Sequence, residues 1–529
     1  MKYYMIKVDN RLLELMKTER ELRVSEDEFE KALKGYKFDE FLIILAQISA
    51  KLFDRNFTEN DFWKKESVGF IIHKSSKQFI TDFAVEYIAN ILLISGSSNF
   101  KKESIKNNDN IISLFSIYHN SIIQPVDKSN IALSIFVPMF YQQMTSQQDI
   151  KNLFIRQWLI FKKSHELVSE EERIDLNQIL IERIGINVAE YLKLCFLVLA
   201  VILKSPIFSF GSLENSTIPG LKDILNRQKI SAIFKQLSIT KEGFIKLDKR
   251  YNSQLDPKYT KSRYNPLWEK PIIILGNNNY VAPSLSAYAK GAIRGLYWIF
   301  ENSKGKLFRD YFGVLFENYC GMIIQDIFSV KNVRVGIKFG KENKEFFDWI
   351  VDNKGEIILF EAKAYQFPLK TLQTGDSKLI KKEIFNKLVE TIKQMYQRCQ
   401  DIDRNKELKE FKNKKITVVG IFYDMPFVST SLYDIDIKLA LSELDSAYPG
   451  IKNFDYIFLS IEELENYTYI KDCISIKSLI DRVRNTPGSG VLSETRKVFK
   501  ENNLSSKQHK SLLDRGFKDF YSQELGIFE

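Results

Sequence analysis

The chain has 529 residues, 44% hydrophobic and 13% aromatic, which is ample for large cores and excludes a disordered polymer. Its formal net charge of +10 and pI near 9.0 favour a polyanionic partner, although Lys carries most of the excess in a chain also rich in Ile and Asn. Four scattered cysteines, Cys195, Cys320, Cys399 and Cys473, form no CxxC pair and imply neither a zinc site nor a disulfide framework.

In chain order, the start MKYYMIKVDNRLLELMKTER lacks a signal-peptide layout and allows a short strand, KYYMIKV. Residues 1–215 read as mainly helical, through FDEFLIILAQISAKLF, FAVEYIANILLI and NQILIERIGINVAEYLKLCFLVLAVIL. The longest apolar run, Leu194 to Leu203, is too short to span a bilayer and suits a buried helix, so a cytoplasmic protein without membrane contact is expected. The four histidines, His73, His119, His165 and His509, suit surface or capping positions rather than ligands.

Residues 216–300 read as a basic connector. Within it, residues 221–270 carry 12 Lys and Arg against 5 Asp and Glu. Tyr251, Tyr259 and Tyr264 interleave with Lys258, Lys261 and Arg263, a pattern that suits base stacking or an ordinary basic connector. Ile272–Leu275 and Tyr280–Val281 read as a small hairpin around Gly276–Asn279, and SAYAKGAIRGLYWIFEN as a helix.

The densest chemistry lies in FFDWIVDNKGEIILFEAKA, residues 346–364. Two apolar strands flank Asp-Asn-Lys-Gly at 352–355, which is turn chemistry. The continuous run Ile357-Ile358-Leu359-Phe360 marks a strand covered on both faces. Asp348, Glu361 and Lys363 have no structural use in such strands, and burying them costs several kcal/mol unless they pair or bind a cation. Glu361 and Lys363, two apart, share a face. A two-residue turn pairing Asp352 with Gly355 sets Asp348 opposite Leu359 on that same face. Two carboxylates beside a lysine suit metal-assisted phosphodiester hydrolysis, with Mg²⁺ (or Mn²⁺) on oxygen ligands and the lysine placing the attacking water.

After the hairpin, residues 378–400 read as a helix whose stripe of Ile380, Ile384, Leu388, Ile392, Met395 and Cys399 is core. Its polar side carries Lys381, Lys382, Lys387, Lys393, Gln394 and Arg398. Residues 370–415 hold 13 Lys and Arg against 7 Asp and Glu, plausible phosphate contacts next to a cation site. A strand over Ile416–Tyr423, a helix near 434–447 and a strand in FDYIFLSI follow, an α/β order. TPGSG, residues 486–490, reads as a linker before a charged helical tail, 486–529 in all.

Asp348, the Glu361-Ala362-Lys363 tripeptide after a hairpin, and Glu317 on the preceding helix (FGVLFENYCGMII) together resemble the PD-(D/E)XK, or restriction-endonuclease-like, nuclease superfamily. The family's first-motif proline is replaced by Phe347. The resemblance covers roughly residues 305–480 and implies an α+β multidomain protein. A mainly α-helical sensor or partner-binding domain (1–215) and the connector (216–300) would precede an α/β-sandwich nuclease domain with a mixed central sheet (301–485). It also implies that Asp348, Glu361, the Ala362 carbonyl and Glu317 hold Mg²⁺ and that Lys363 places water. Gln394 is then a candidate to touch the site or phosphate, and Lys381, Lys382 and Lys387 are phosphate contacts.

The expected substrate is DNA, with RNA not excluded, and the expected setting is prokaryotic restriction or phage defence, with a protein partner or second copy on the helical region. The rival reading is a nuclease-fold protein that binds nucleic acid or scaffolds a complex without cutting. No GxxxxGK[ST] phosphate loop, HNH-like histidine set or GxSxG elbow is present.

Overall fold

Apolar spacing of three and four residues becomes helix in the N-terminal half, as read from the sequence. Phe38–Phe53 and Asp82–Ser95 are helices that bury Phe41, Leu42, Leu45, Ile88, Ile91 and Leu92 in one cluster with Ile273 and Val281. The structure, a computed structural model, describes residues 33, 37–53, 82–96, 150–214, 225–254, 263–353, 355–366, 377–380, 382–383, 386–424, 442, 444–451, 455–486, 490–504 and 511–527. The KYYMIKV strand, Lys381, Ile384 and most of the helix expected near 434–447 lie outside them.

The chain forms two compact units, and neither follows chain order. One gathers Met1–Pro125, Leu194–Ser216 and Leu225–Gly295; the other gathers Val126–Lys193, Thr217–Ile224 and Leu296–Glu529. The stretch read as a connector therefore belongs largely to the first unit, and residues from the stretch read as an N-terminal domain belong to the second.

In the first unit the expected hairpin forms as β3 (Ile272–Gly276) and β4 (Asn279–Val281). Asn277 and Asn278 take φ of 51° and 57°, both positive, as a two-residue hairpin turn of the primed type requires. Two short strands not read from the sequence complete a sheet of order β1-β4-β3-β2: β1 (Ile207–Phe208) and β2 (Ser238–Ile239). Two residues are too few for a periodic signal. Glu86, 1% exposed, is neutralised by Lys290 Nζ at 3.1 Å and accepts from Trp268 Nε1 at 2.7 Å.

The second unit holds β5 (Val333–Val335), β6 (Lys338–Phe339), β7 (Lys344–Glu345), β8 (Trp349–Asn353), β9 (Glu356–Lys363), β10 (Lys415–Phe422) and β11 (Tyr456–Ser460). The main sheet is mixed, in the order β11-β10-β9-β8-β5. β10 runs parallel to β9 and β11, while β8 is antiparallel to β9 and β5. Ile357, Ile358, Leu359 and Phe360 are all buried because helices cover both faces. On one face lies Lys306–Phe328, with the Phe328 ring 6.1 Å from that of Phe360. On the other lies Asn386–Arg404, whose Met395 and Ile402 pack with Ile350, Ile357 and Leu359. The expected 378–400 helix is thus interrupted: a short Ser377–Ile380 helix precedes the Asn386–Arg404 helix, which alone carries the buried stripe of Leu388, Ile392 and Met395.

The C-terminal stretch is helical, over Val491–Glu501 and Leu512–Asp519, and part of it is core. Phe520 stacks edge-on to Phe154 at 4.9 Å, and the Glu524 carboxylate accepts from Lys162 at 2.5 Å and pairs with Lys193 at 3.2 Å. A buried guanidinium locks the frame. Arg156, on the Ile150–Trp158 helix, donates through Nε and Nη2 to the two oxygens of Glu465, both at 2.6 Å, and through Nη1 to Glu462 at 3.3 Å. Tyr319 Oη donates to Glu465 Oε1 at 2.7 Å. The network joins three helices, one of them the carrier of Glu317.

Among the described residues no single helix is long and apolar enough to cross a membrane. Leu176–Ile184 and Val188–Lys204 reach that length only as a pair bent by 60°.

Arg156→Ala is expected to destabilise the second unit by about 3–5 kcal/mol, because it strands the Glu465 charge in the interior. Arg156→Met combined with Glu465→Gln should recover most of that loss. Chemical denaturation of the three proteins checks this, and a loss below about 1 kcal/mol for the single variant would contradict it.

Candidate functional site

The β8–β9 turn is two residues long, as expected, but it is centred differently. Asn353 pairs with Glu356 and Asp352 with Ile357, so the turn closes between Asn353 and Glu356 and not between Asp352 and Gly355. Gly355 takes φ of +89°, a conformation open to glycine and strained for other residues, and that sets the centre. The pairing moves by two residues, so every side chain keeps its face. Extending the register one residue past Trp349↔Phe360 sets Asp348 across from Glu361, where Leu359 had been expected.

Asp348 is held at three points. Its N–H donates to the Phe360 carbonyl at 3.1 Å, and its carbonyl accepts from Gly336 N–H at 2.8 Å. Its Oδ2 accepts the Ala362 N–H at 2.6 Å, replacing the strand partner that β8 no longer supplies. Gly336 makes this possible, since a Cβ there would stand 1.6 Å from the Phe347 carbonyl oxygen.

Glu361 and Lys363 point to the side of the sheet covered by Asn386–Arg404. Lys363 Nζ donates to Glu361 Oε1 at 2.7 Å and to Gln394 Oε1 at 3.1 Å. The second Glu361 oxygen accepts from Arg398 Nη1. Arg398 also lies over the Phe347 ring at 5.5 Å. Glu361 is 2% exposed and so relies on these two cations.

Glu317 approaches from the Lys306–Phe328 helix, whose placement is fixed in part by Trp349 Nε1 donating to the Glu317 carbonyl at 3.0 Å. Burial, then the Glu345 and Glu361 charges, push the Glu317 carboxyl up to about 7. Burial, then the Glu361 and Glu317 charges, hold the Asp348 carboxyl well above its usual range. One turn beyond Glu317, the buried Cys320 thiol is pushed up by burial and then by the Asp348 charge. The three carboxylates therefore feel one another.

The fold brings Asp348, Glu361, Lys363 and Gln394 into one hydrogen-bonded neighbourhood, with Glu317 within electrostatic reach. The expected phosphate contacts are less engaged with it. Lys387 pairs with Glu390 at 2.9 Å and Lys382 with Glu383 at 3.5 Å, each a local surface pair; Lys381 lies outside the described residues. In the first unit Arg263 is bound to Asp248 at 2.6 Å and Tyr251 donates to Glu269 at 2.8 Å, which is internal bonding and favours the ordinary connector reading. Arg398 was absent from the sequence-derived site. Its signal was its place four residues after Gln394, one turn along the same helical face.

Among the described residues no group of three or more His, Cys, Asp and Glu side chains is arranged to hold a metal ion. The donor chemistry nonetheless suits a hard divalent cation: every candidate ligand is an oxygen, three of them carboxylates, and burial followed by neighbouring carboxylate charge raises two of these. Two cationic side chains stand at Glu361 where such an ion would sit. No protein-family model matches the chain, and no curated protein matches it.

Asp348→Asn keeps an acceptor for the Ala362 N–H and removes one repelling charge. It should be at least as stable as the wild type, and more stable than Asp348→Ala by about 1–3 kcal/mol, the cost of leaving that donor unmet. Urea unfolding of the three proteins gives the order; an alanine variant as stable as the asparagine variant would contradict it.

Proposed function

We propose that the second unit is a metal-dependent nuclease of the PD-(D/E)XK kind, hydrolysing phosphodiester bonds of DNA. The observation that carries the reading is the convergence of Asp348, Glu361 and Lys363 at one end of the β8–β9 hairpin, with Gln394 bonded to the lysine. A mixed sheet with helices on both faces is consistent with it. From the resemblance alone, the proposed setting is prokaryotic restriction or anti-phage defence.

Asp348, Glu361 and Glu317, with the Ala362 carbonyl, would hold the ion. Mg²⁺ or Mn²⁺ bound there would activate a water and take up charge developing on the phosphate. The chain's own groups do the rest. Lys363, steered by Gln394, presents its ammonium beside Glu361, where it orients the attacking water or a phosphoryl oxygen. Asp348 anchors the strand end through Ala362, so the carboxylates and the lysine keep fixed spacing. Burial of Glu361 keeps competing water away from that oxygen pair.

A second reading follows from one specific feature. The Glu361 charge is already balanced by Lys363 and Arg398, which suits a protein that binds nucleic acid or scaffolds a complex without cutting.

Incubation of the purified protein with plasmid DNA and with RNA, in Mg²⁺ or in chelator, separates these readings. The nuclease reading expects cutting of DNA that stops in chelator and falls by about 10²–10⁴-fold in Lys363→Ala and at least as far in Asp348→Ala. Cutting that survives both substitutions contradicts the site. Retained nucleic-acid binding with no cutting favours the second reading, and cutting of RNA alone changes the substrate.

A further inference from the structure

Both oxygens of Glu361 are occupied, and by different kinds of cation. Lys363 lies two residues along the same strand and is held a second time by Gln394, so it has little freedom to leave. Arg398 comes from the facing helix on a long, flexible side chain. It also lies over the face of the Phe347 ring, an interaction that tolerates sliding. A divalent ion and a guanidinium at the same carboxylate oxygen repel each other strongly at such short range and low exposure.

We propose that Arg398 is the resident counter-ion of Glu361, a positioning residue that keeps the buried carboxylate neutralised and that a divalent cation must displace in order to bind. This rests on the reading above that Glu361 is a metal ligand. Arg398 and the ion are then linked: each weakens the other's hold on Glu361 by the same factor. The charge of Arg398, rather than its shape, sets the metal affinity, so lysine should substitute for it in part.

Mn²⁺ titration followed by electron paramagnetic resonance, on the full chain without nucleic acid, tests this. Arg398→Gln should bind Mn²⁺ at least about tenfold more tightly than the wild type, as expected for relief of a coupling of ordinary size. Arg398→Lys should return towards wild-type affinity, and Glu361→Gln should lose the site. Thermal melts guard against misfolding: without metal Arg398→Gln should melt below the wild type, and Mn²⁺ should raise its melting temperature by more than it raises the wild type's. Equal Mn²⁺ affinity in wild type and Arg398→Gln overturns the proposal, as does failure of either protein to bind Mn²⁺. Metal-dependent cutting with equal affinities would sink the counter-ion role and leave the nuclease reading standing. Tighter Mn²⁺ binding without cutting would do the reverse.

Discussion

A carboxylate at 2% exposure, on the third residue from the end of a strand whose middle is Ile, Leu and Phe, is the constraint around which the second unit is arranged. Glu361 without a partner would cost several kcal/mol. Its two cations come from different places: Lys363 from the same strand, Arg398 from the helix lying over it. The strand and the helix are thereby coupled electrostatically where they are already coupled by Leu359 packing with Met395. Gln394 adds the third contact, so one helical turn supplies both polar supports of the Glu361–Lys363 pair.

The rest of the unit holds that arrangement in place from behind. Arg156 and Glu465 bring the helices at Ile150–Trp158 and Ile461–Tyr467 onto Tyr319, two residues from Glu317. Gln157 donates to the Tyr423 hydroxyl at 2.9 Å, and Tyr423 N–H donates to the Lys363 carbonyl at 3.0 Å, so the same helix also reaches the end of β9. Residues far apart in the chain thus bear on the two elements that carry the carboxylates. Carboxylates raised in pKa by burial and then by neighbouring negative charge are a local burden, and a frame of this kind is what lets the fold carry it.

Much of this was legible in the chain itself. The Ile357–Phe360 run announced a strand buried on both faces, and the charges of Asp348, Glu361 and Lys363 around it marked a candidate site. Helices such as Phe38–Phe53 followed from periodicity alone. The exact turn was not legible: Asp-Asn-Lys-Gly admits more than one two-residue loop, and only the φ of Gly355 decides. The site residues kept their face because the difference was an even number of residues.

Arg398 was read only as one residue of the helix's polar side, since a sequence does not say which polar residue of a helix lies over a buried charge. The unit boundaries were illegible for a similar reason. Nothing local in residues 150–193 says that Arg156 answers Glu465, some 300 positions later. Short strands such as Ile207–Phe208 carry too few residues to leave a pattern.

The central claim is that the Glu361 carboxylate, together with Asp348, is a ligand shared between protein cations and a divalent metal. The most direct measurement is an anomalous difference map from a crystal of the full chain soaked in Mn²⁺. A peak is expected about 2.1 Å from carboxylate oxygens of both Asp348 and Glu361, with the Arg398 guanidinium moved off Glu361. No peak at these residues, with Arg398 still bonded to Glu361, would contradict it.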